Sequence, residues 1–275
     1  MTEHSTRRTR AATEVISVTT YDKLQEFIVA FARAHLNLLI LTGNPGLAKT
    51  RIVRAALGDN TCWIEGNATA FGLYRELYHH RDSLYVVIDD VDSLYSDRVG
   101  VRLLKSLCQT ENIKTVAWHS GARSLQKEGI PTKFQTRAKV LVISNDWRTL
   151  NRNVSALQDR GFVLHFEPTA EEVHRQARAW FQDTEVYQWF ADHLHLIREP
   201  SLRHYVRAAM LKDAGMDWTA VLPSPNNNPK ERLVAELQAD SRYGSQEARA
   251  REFVARGGGC RRTFFNYVRK VTIGR

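Results

Sequence analysis

The chain has little sulfur, few acidic residues for its basic ones, and no long apolar run, and each shortage removes a class of protein. Only three cysteines, Cys62, Cys108 and Cys260, occur in 275 residues. They are scattered and form no Cys-x-x-Cys pair, so neither a disulfide framework nor a zinc site is signalled, and a reducing compartment is expected. No apolar run approaches the roughly 20 residues that span a bilayer, and no charged segment leading into an apolar signal core opens the chain. The expectation is therefore a cytoplasmic location with no membrane partner. Covalent catalysis lacks its signatures too, with no Gly-x-Ser-x-Gly elbow and no supportive Cys–His spacing. His193 and His195 are two apart on an expected helix and share no face, which argues against a metal pair, and His79-His80 reads the same way. Asp and Glu number 30 against 39 Lys and Arg, a formal charge of +9, with Arg well ahead of Lys. Guanidinium forks match phosphate geometry, so a polyanion, nucleic acid first, is the expected partner.

What is present is long enough for one sizeable α/β core with a small accessory domain. Gly43, Asn44, Pro45, Gly46, Leu47, Ala48, Lys49 and Thr50 lie directly behind the apolar run Leu38-Leu39-Ile40-Leu41 and ahead of a helix-like run at 51–57. Strand, loop, helix is the context of a phosphate-binding loop. Such a loop needs flexible backbone to turn N–H groups toward an anion, a helix N-terminus behind them, a Lys for the β- and γ-phosphates, and a hydroxyl for Mg2+. Gly43, Gly46, Lys49 and Thr50 supply these. Against the pattern Gly-x-x-x-x-Gly-Lys-Ser/Thr, the second fixed glycine is Ala48, whose methyl group crowds the phosphate approach. Further on, the apolar run 84–88 ends in Asp89-Asp90. One carboxylate, Asp89, suits a metal held through water; the other, Asp90, suits a general base acting on water. The pair resembles the acidic strand end of P-loop ATPases, in which Glu is more usual at the second position, and against that pattern the shorter Asp90 implies slow turnover.

Helical spacing at 21–34, strands at 38–42, 62–64 and 84–88, and helices at 68–79 and 92–108 alternate in the manner of a parallel sheet. Strands at 115–119, 139–144 and 162–166 are expected to complete that sheet. After Pro168 the pattern turns wholly helical. The Pro/Asn-rich stretch from Pro223 to Pro229 breaks it and reads as a linker. The predicted organisation is a basic disordered arm at 1–17, an α/β core at 18–168, a helical lid at 169–222, a linker at 223–232 and a basic helical element at 233–275.

Taken in order, these motifs resemble the AAA+ superfamily of P-loop ATPases over residues 21 to about 222. The resemblance implies ATP with Mg2+ (ligands Thr50 and Asp89), self-assembly into a ring or helix, and hydrolysis. It makes Asn145, at the end of the strand 139–144, the sensor 1 residue, and Arg203, opening a lid helix, the sensor 2 residue, with Arg207 as runner-up. Arg160, ahead of the last core strand, falls where the family places an arginine finger acting on a neighbouring subunit; Arg148 and Arg152 compete for that role. The extra chain between Thr115 and Lys139 resembles the DNA-contacting hairpins of helicase-like and initiator-like members, with Lys127 and Lys133 as its contacts, and also reads as a solvated loop.

The C-terminal segment pairs many arginines with the apolar anchors Phe253, Phe264, Phe265 and Tyr267. It reads as a small helix-turn-helix with Gly257-Gly258-Gly259 as the turn. Arg261, Arg262 and Thr263 stand at the start of the recognition helix and Arg269 further along it. A basic helix packed on the lid or at an oligomer contact is the other reading. The expected function is that of an ATP-dependent, DNA-binding helper of replication, helicase loading or transposition, working with a helicase, transposase or nuclease. A DNA-translocating motor, or a non-hydrolysing ATP-gated scaffold, are the alternatives.

Overall fold

The computed structural model describes residues 15–119, 122–145, 157, 159–194, 197–221, 229–240 and 242–273. They fall into two compact units, the first running to residue 179 and including 199–202, the second holding 180–198 and everything from 203 onward.

The first unit is built on strands β1 (Val15–Val18), β2 (Leu38–Gly43), β3 (Thr61–Glu65), β4 (Tyr85–Asp89), β7 (Lys139–Ser144) and β8 (Phe162–Phe166). Every residue of β2 is buried, as are all but the first of β7 and of β4, which is what a strand covered by helices on both faces requires. All six strands pair in parallel in the order β1-β8-β2-β7-β4-β3. Helices α1 (Tyr21–Ala32), α2 (Lys49–Leu57), α3 (Ala70–His79), α4 (Asp92–Ser96) and α5 (Arg98–Leu107) connect them.

Several expectations are corrected. The strand expected at 115–119 is β5 (Lys114–Ala117) and does not join the main sheet. It pairs antiparallel with β6 (Lys133–Thr136), with α6 (Ala122–Lys127) between them. Thr115 is exposed and Val116 buried, the alternation of a strand with one wet face. Residues 15–17, assigned to a disordered arm, form most of β1, an edge strand with a single buried residue and so almost no pattern to read. The helix expected over 92–108 is two, because Asp97 leaves the helical conformation and accepts hydrogen bonds from the Val99 and Gly100 N–H groups as the cap of α5. Helix α7 (Ala170–Ala177), taken as part of the lid, belongs to the core unit. Its Glu172 accepts from the Tyr21 N–H at 2.8 Å.

The hairpin is fixed to α3 by its side chains. The Tyr74 hydroxyl donates to the Pro131 carbonyl at 2.7 Å, Trp118 packs against Phe71 at 5.4 Å between ring centres, and Arg75 pairs with Glu128 at 2.7 Å. Cys62 and Cys108 are buried free thiols whose pKa burial pushes up to about 12.

The second unit begins with α8 (Thr184–His193) and α9 (Arg203–Asp213), which enclose an aromatic cluster centred on Phe190 and Tyr205 at 4.2 Å. Asp183 caps α8 and pairs with Lys212 at 2.7 Å. Helices α10 (Pro229–Ala239), α11 (Gln246–Ala255) and α12 (Arg261–Ile273) bury Val234, Leu237, Ala250, Phe253 and Phe264 among themselves. Residues 229–232, expected in the linker, open α10; a proline fits a first helical turn, where its missing N–H has no partner to lose. Between α11 and α12, Gly257 and Gly259 have positive φ, and a Cβ on Gly258 would lie 2.4 Å from the Phe253 ring, so the triple glycine is needed for the turn. The rest of the linker, 223–228, and the arm at 1–14 lie outside the described residues.

Candidate functional site

Parallel strands deliver their carboxyl ends to one side of a sheet, and here β7 stands between β2 and β4. The loop after β2, the acidic end of β4 and Asn145 after β7 are therefore neighbours. Thr42 lies level with Ser144, and Asp89 with Ile143.

The turn out of β2 starts at Gly43, where a Cβ would sit 2.3 Å from the Phe166 carbonyl oxygen, so only glycine fits. The loop closes through Ala48, whose φ of 60° and ψ of 21° are left-handed, and Lys49 and Thr50 open α2. Leu47 is buried and pins the loop to the core. Lys49 is buried as well. Its ammonium donates to the carbonyls of Gly43 at 2.6 Å and Asn44 at 2.9 Å and to Asn145 Oδ1 at 3.1 Å. Asn145 Nδ2 in turn donates to Asp90 Oδ2 at 2.9 Å. The Thr50 hydroxyl donates to Asp89 Oδ2 at 2.6 Å.

Asp90 has a left-handed φ of 51°, and its N–H donates to the Ile143 carbonyl at 3.0 Å, which ties the end of β4 to β7. Asp89 is buried, and desolvation raises its carboxyl above the ordinary value. The Thr50 hydrogen bond opposes this, Asp90 and Glu65 add to it, and Lys49 pulls it back. The paired hydroxyl and carboxylate of Thr50 and Asp89 are hard oxygen donors of the kind Mg2+ takes, and the buried ammonium is matched to phosphate oxygens.

Five residues expected at the site are thus brought together as two hydrogen-bonded groups, Lys49 with Asn145 and Asp90, and Thr50 with Asp89. Others lie elsewhere. Arg160 precedes β8, whose first residue pairs with Leu39 at the entering end of β2; five strand residues put it about 16 Å from the carboxyl ends. Its guanidinium donates to the Lys105 carbonyl at the end of α5, so it does not serve its own phosphate loop. Arg203 is the first residue of α9 in the second unit, with Arg207 one turn on. Arg148 and Arg152 lie outside the described residues. Lys127 and Lys133, on α6 and β6, are exposed. Arg261 pairs with Glu247 at 2.7 Å and stacks over Phe265, Arg262 is exposed, and the Thr263 hydroxyl meets Cys260 Sγ at 3.3 Å. Arg269 is on α12, but its side chain lies outside the described residues.

One contact carries no sequence signal: the Leu202 N–H donates to the Gly46 carbonyl at 2.9 Å, fastening the segment 199–202 to the phosphate loop. Backbone bonds of this kind leave no trace in residue identity.

Fold and site define the class: a parallel α/β core of the P-loop kind, with a phosphate-loop turn, an acidic strand end and a strand-end Asn in that order. The sequence matches no protein-family model. Over 119 residues it is 29% identical to an uncharacterized 36.7 kDa protein of the nrdC-mobD intergenic region of Enterobacteria phage T4, covering 40% of this chain and 36% of that protein. The matched segment is thus about a third of the curated relative's length. Among solved structures, a mutant RuvB of Thermotoga maritima is similar at a TM-score of 0.47 and 14% identity, over 84% of this chain and 80% of its own. Domain III of the Thermotoga maritima replication initiation protein DnaA is similar at 0.45 and 15%, over 73% and 88%. A DNA replication initiation factor is similar at 0.44 and 12%, over 79% and 68%. The class rests on the strand order and loop geometry of this chain.

Proposed function

We propose that the chain is an ATPase that assembles with ATP into a homo-oligomer on DNA and acts as a helper of replication, helicase loading or transposition. The observation that carries this is the pair of hydrogen-bonded groups, Lys49–Asn145–Asp90 and Thr50–Asp89, at the carboxyl ends of three adjacent strands. Lys49 and the loop amides hold the phosphates. Thr50 and Asp89 hold Mg2+, which neutralises phosphate charge when bound. Asp90 accepts a proton from the attacking water, oriented by the amide of Asn145, and Asn145 links that base to the phosphate lysine. Arg203 senses the γ-phosphate from the lid. Arg160, placed away from its own loop, acts on a neighbouring subunit and leaves the Lys105 carbonyl to do so.

DNA is held by the C-terminal three-helix cluster, through Arg261, Arg262, Thr263 and Arg269, and by the hairpin through Lys127 and Lys133. Arg261 must exchange Glu247 for phosphate. ATP turnover with and without duplex DNA, across protein concentrations and in Lys49→Ala, tests the whole reading. Turnover that DNA stimulates, that rises more steeply than protein concentration and that Lys49→Ala abolishes is the expected result.

A second reading, a nucleotide-gated scaffold without turnover, is favoured by the methyl group of Ala48 inside the loop and by the short, tethered Asp90. Nucleotide binding with no turnover under any condition would select it.

A further inference from the structure

We propose that the core carries a docking cavity for an acidic, apolar-bearing peptide segment of a partner protein, at the end of the sheet opposite the phosphate loop. The cavity, about 320 Å³, is lined by Arg81 to Leu84 leading into β4, by Ile113 ahead of β5, and by Gln135 to Arg137 joining β6 to β7. Those segments meet at the entering ends of β4 and β7, a strand length away from Asp89 and Asn145.

Charge sets the sign of the occupant. Two guanidiniums face one carboxylate, Asp82. Arg81 is already engaged: it pairs with Asp82 at 3.9 Å, donates to the Tyr78 carbonyl at 3.0 Å and lies over the Tyr78 ring at 4.6 Å, while the Thr136 hydroxyl donates to the Arg81 carbonyl at 2.8 Å and ties the two walls together, so the positive charge left over is that of Arg137. Arg137 is exposed and has no ion pair among the described residues. A guanidinium fork takes a carboxylate through two parallel hydrogen bonds. The rest of the lining sets the occupant's other half. Leu84 and Ile113 stay 40% and 49% exposed beside the arginines, so a ligand gains by covering them with an apolar side chain.

A nucleic-acid backbone carries no aliphatic side chain to cover Leu84 and Ile113, and Asp82 repels a continuous run of phosphates. Inorganic phosphate would leave both aliphatic residues wet. A peptide in which Asp or Glu neighbours Leu or a similar residue satisfies both walls, and the volume, at the lower end of ligand-sized clefts, suits a few side chains of an extended segment.

The test uses the full chain and a fluorescein-labelled octapeptide of alternating Asp and Leu, read by fluorescence anisotropy. Saturable binding is expected, weakened at least about tenfold by Arg137→Glu and, separately, by Ile113→Asp, since each removes one half of the recognition. Peptides alternating Asp with Ser or Lys with Leu should bind at least about tenfold more weakly than the first. Binding of a fluorescent ATP analogue, unchanged in both variants, shows that they fold and separates this site from the nucleotide site. The proposal is overturned if wild type does not bind the Asp–Leu peptide, or if both variants bind it as wild type does. It is equally overturned if inorganic phosphate or a single-stranded oligonucleotide displaces the peptide with an efficiency the Arg137→Glu change reduces, which would make the cavity a phosphate site.

Discussion

Ala48→Gly is the substitution whose outcome follows most directly from backbone geometry. Ala48 has φ 60° and ψ 21°, and its carbonyl accepts the Ile52 N–H at 3.0 Å, so this left-handed residue is the one from which α2 grows. A side chain in that region costs about 1–2 kcal/mol, because Cβ crowds the following carbonyl. Glycine removes that cost, while its greater freedom in the unfolded chain takes back about 0.4–1 kcal/mol. The net expectation is a gain of about 0.5–1 kcal/mol, or about 1–4 °C in Tm for a unit of this size. The same change opens the loop to phosphate, so the affinity for MgATP should rise as well. Thermal melts without nucleotide, followed by titration with a fluorescent ATP analogue, measure the two effects separately. Ala48→Val is the control and should move both in the opposite direction, since a β-branched side chain tolerates this conformation less. A glycine variant that melts at or below wild type, with a neutral valine variant, would refute the idea that the loop is strained at this residue.

Asp89→Asn should separate stability from metal binding. Burial raises the Asp89 carboxyl, so the stability tied to its protonation is full below the unfolded-state value and is lost as pH rises through the folded one. Urea melts without nucleotide should therefore show the Asn variant more stable than wild type near about pH 7, the advantage fading toward acid, while Mg2+-dependent nucleotide binding disappears. In wild type, Mg2+ affinity should fall with decreasing pH already above the ordinary carboxylate range. Asn145→Ala should lower kcat by about 10²–10³ with KM within a few-fold, since Asn145 touches the phosphate lysine and the base rather than bearing the phosphates alone; equal losses in binding would contradict that. Gly258→Ala should destabilise the C-terminal three-helix cluster by about 1–3 kcal/mol, because its Cβ would lie 2.4 Å from the Phe253 ring. DNA affinity should fall while ATP binding stays; if ATP binding falls equally, the cluster and the core are not separate in function.

That the phosphate-loop residues and the acidic pair stand at neighbouring strand ends is legible in the sequence, because anion and metal chemistry demands particular side chains in a short local order, whereas only the family resemblance points to Asn145. The strands β2, β4 and β7 were legible because burial on both faces leaves unbroken apolar runs. What escaped depends on distant partners. Lys114 reads as a surface residue, yet it is 1% exposed, donates to the Ala138 carbonyl, and has its ammonium pKa lowered by burial. No local pattern says that β5 leaves the main sheet, that Asp90 takes a left-handed conformation, or that Arg160 binds the Lys105 carbonyl. Each is decided by which backbone happens to lie opposite.

The place of β7 in the sheet also fixes when the site comes into being. A ribosome releases β2, β3 and β4 long before β7, yet β7 must enter between β2 and β4. A chain cut short before Lys139 holds the phosphate loop and both carboxylates, but β2 and β4 then face each other across a missing strand with unpaired edges, a state that invites aggregation. Pairing across such sequence distances closes slowly. Asn145, which joins the phosphate-loop lysine to Asp90, is thus synthesised after both of its partners, and β8, which pairs with β1 and β2, follows later still.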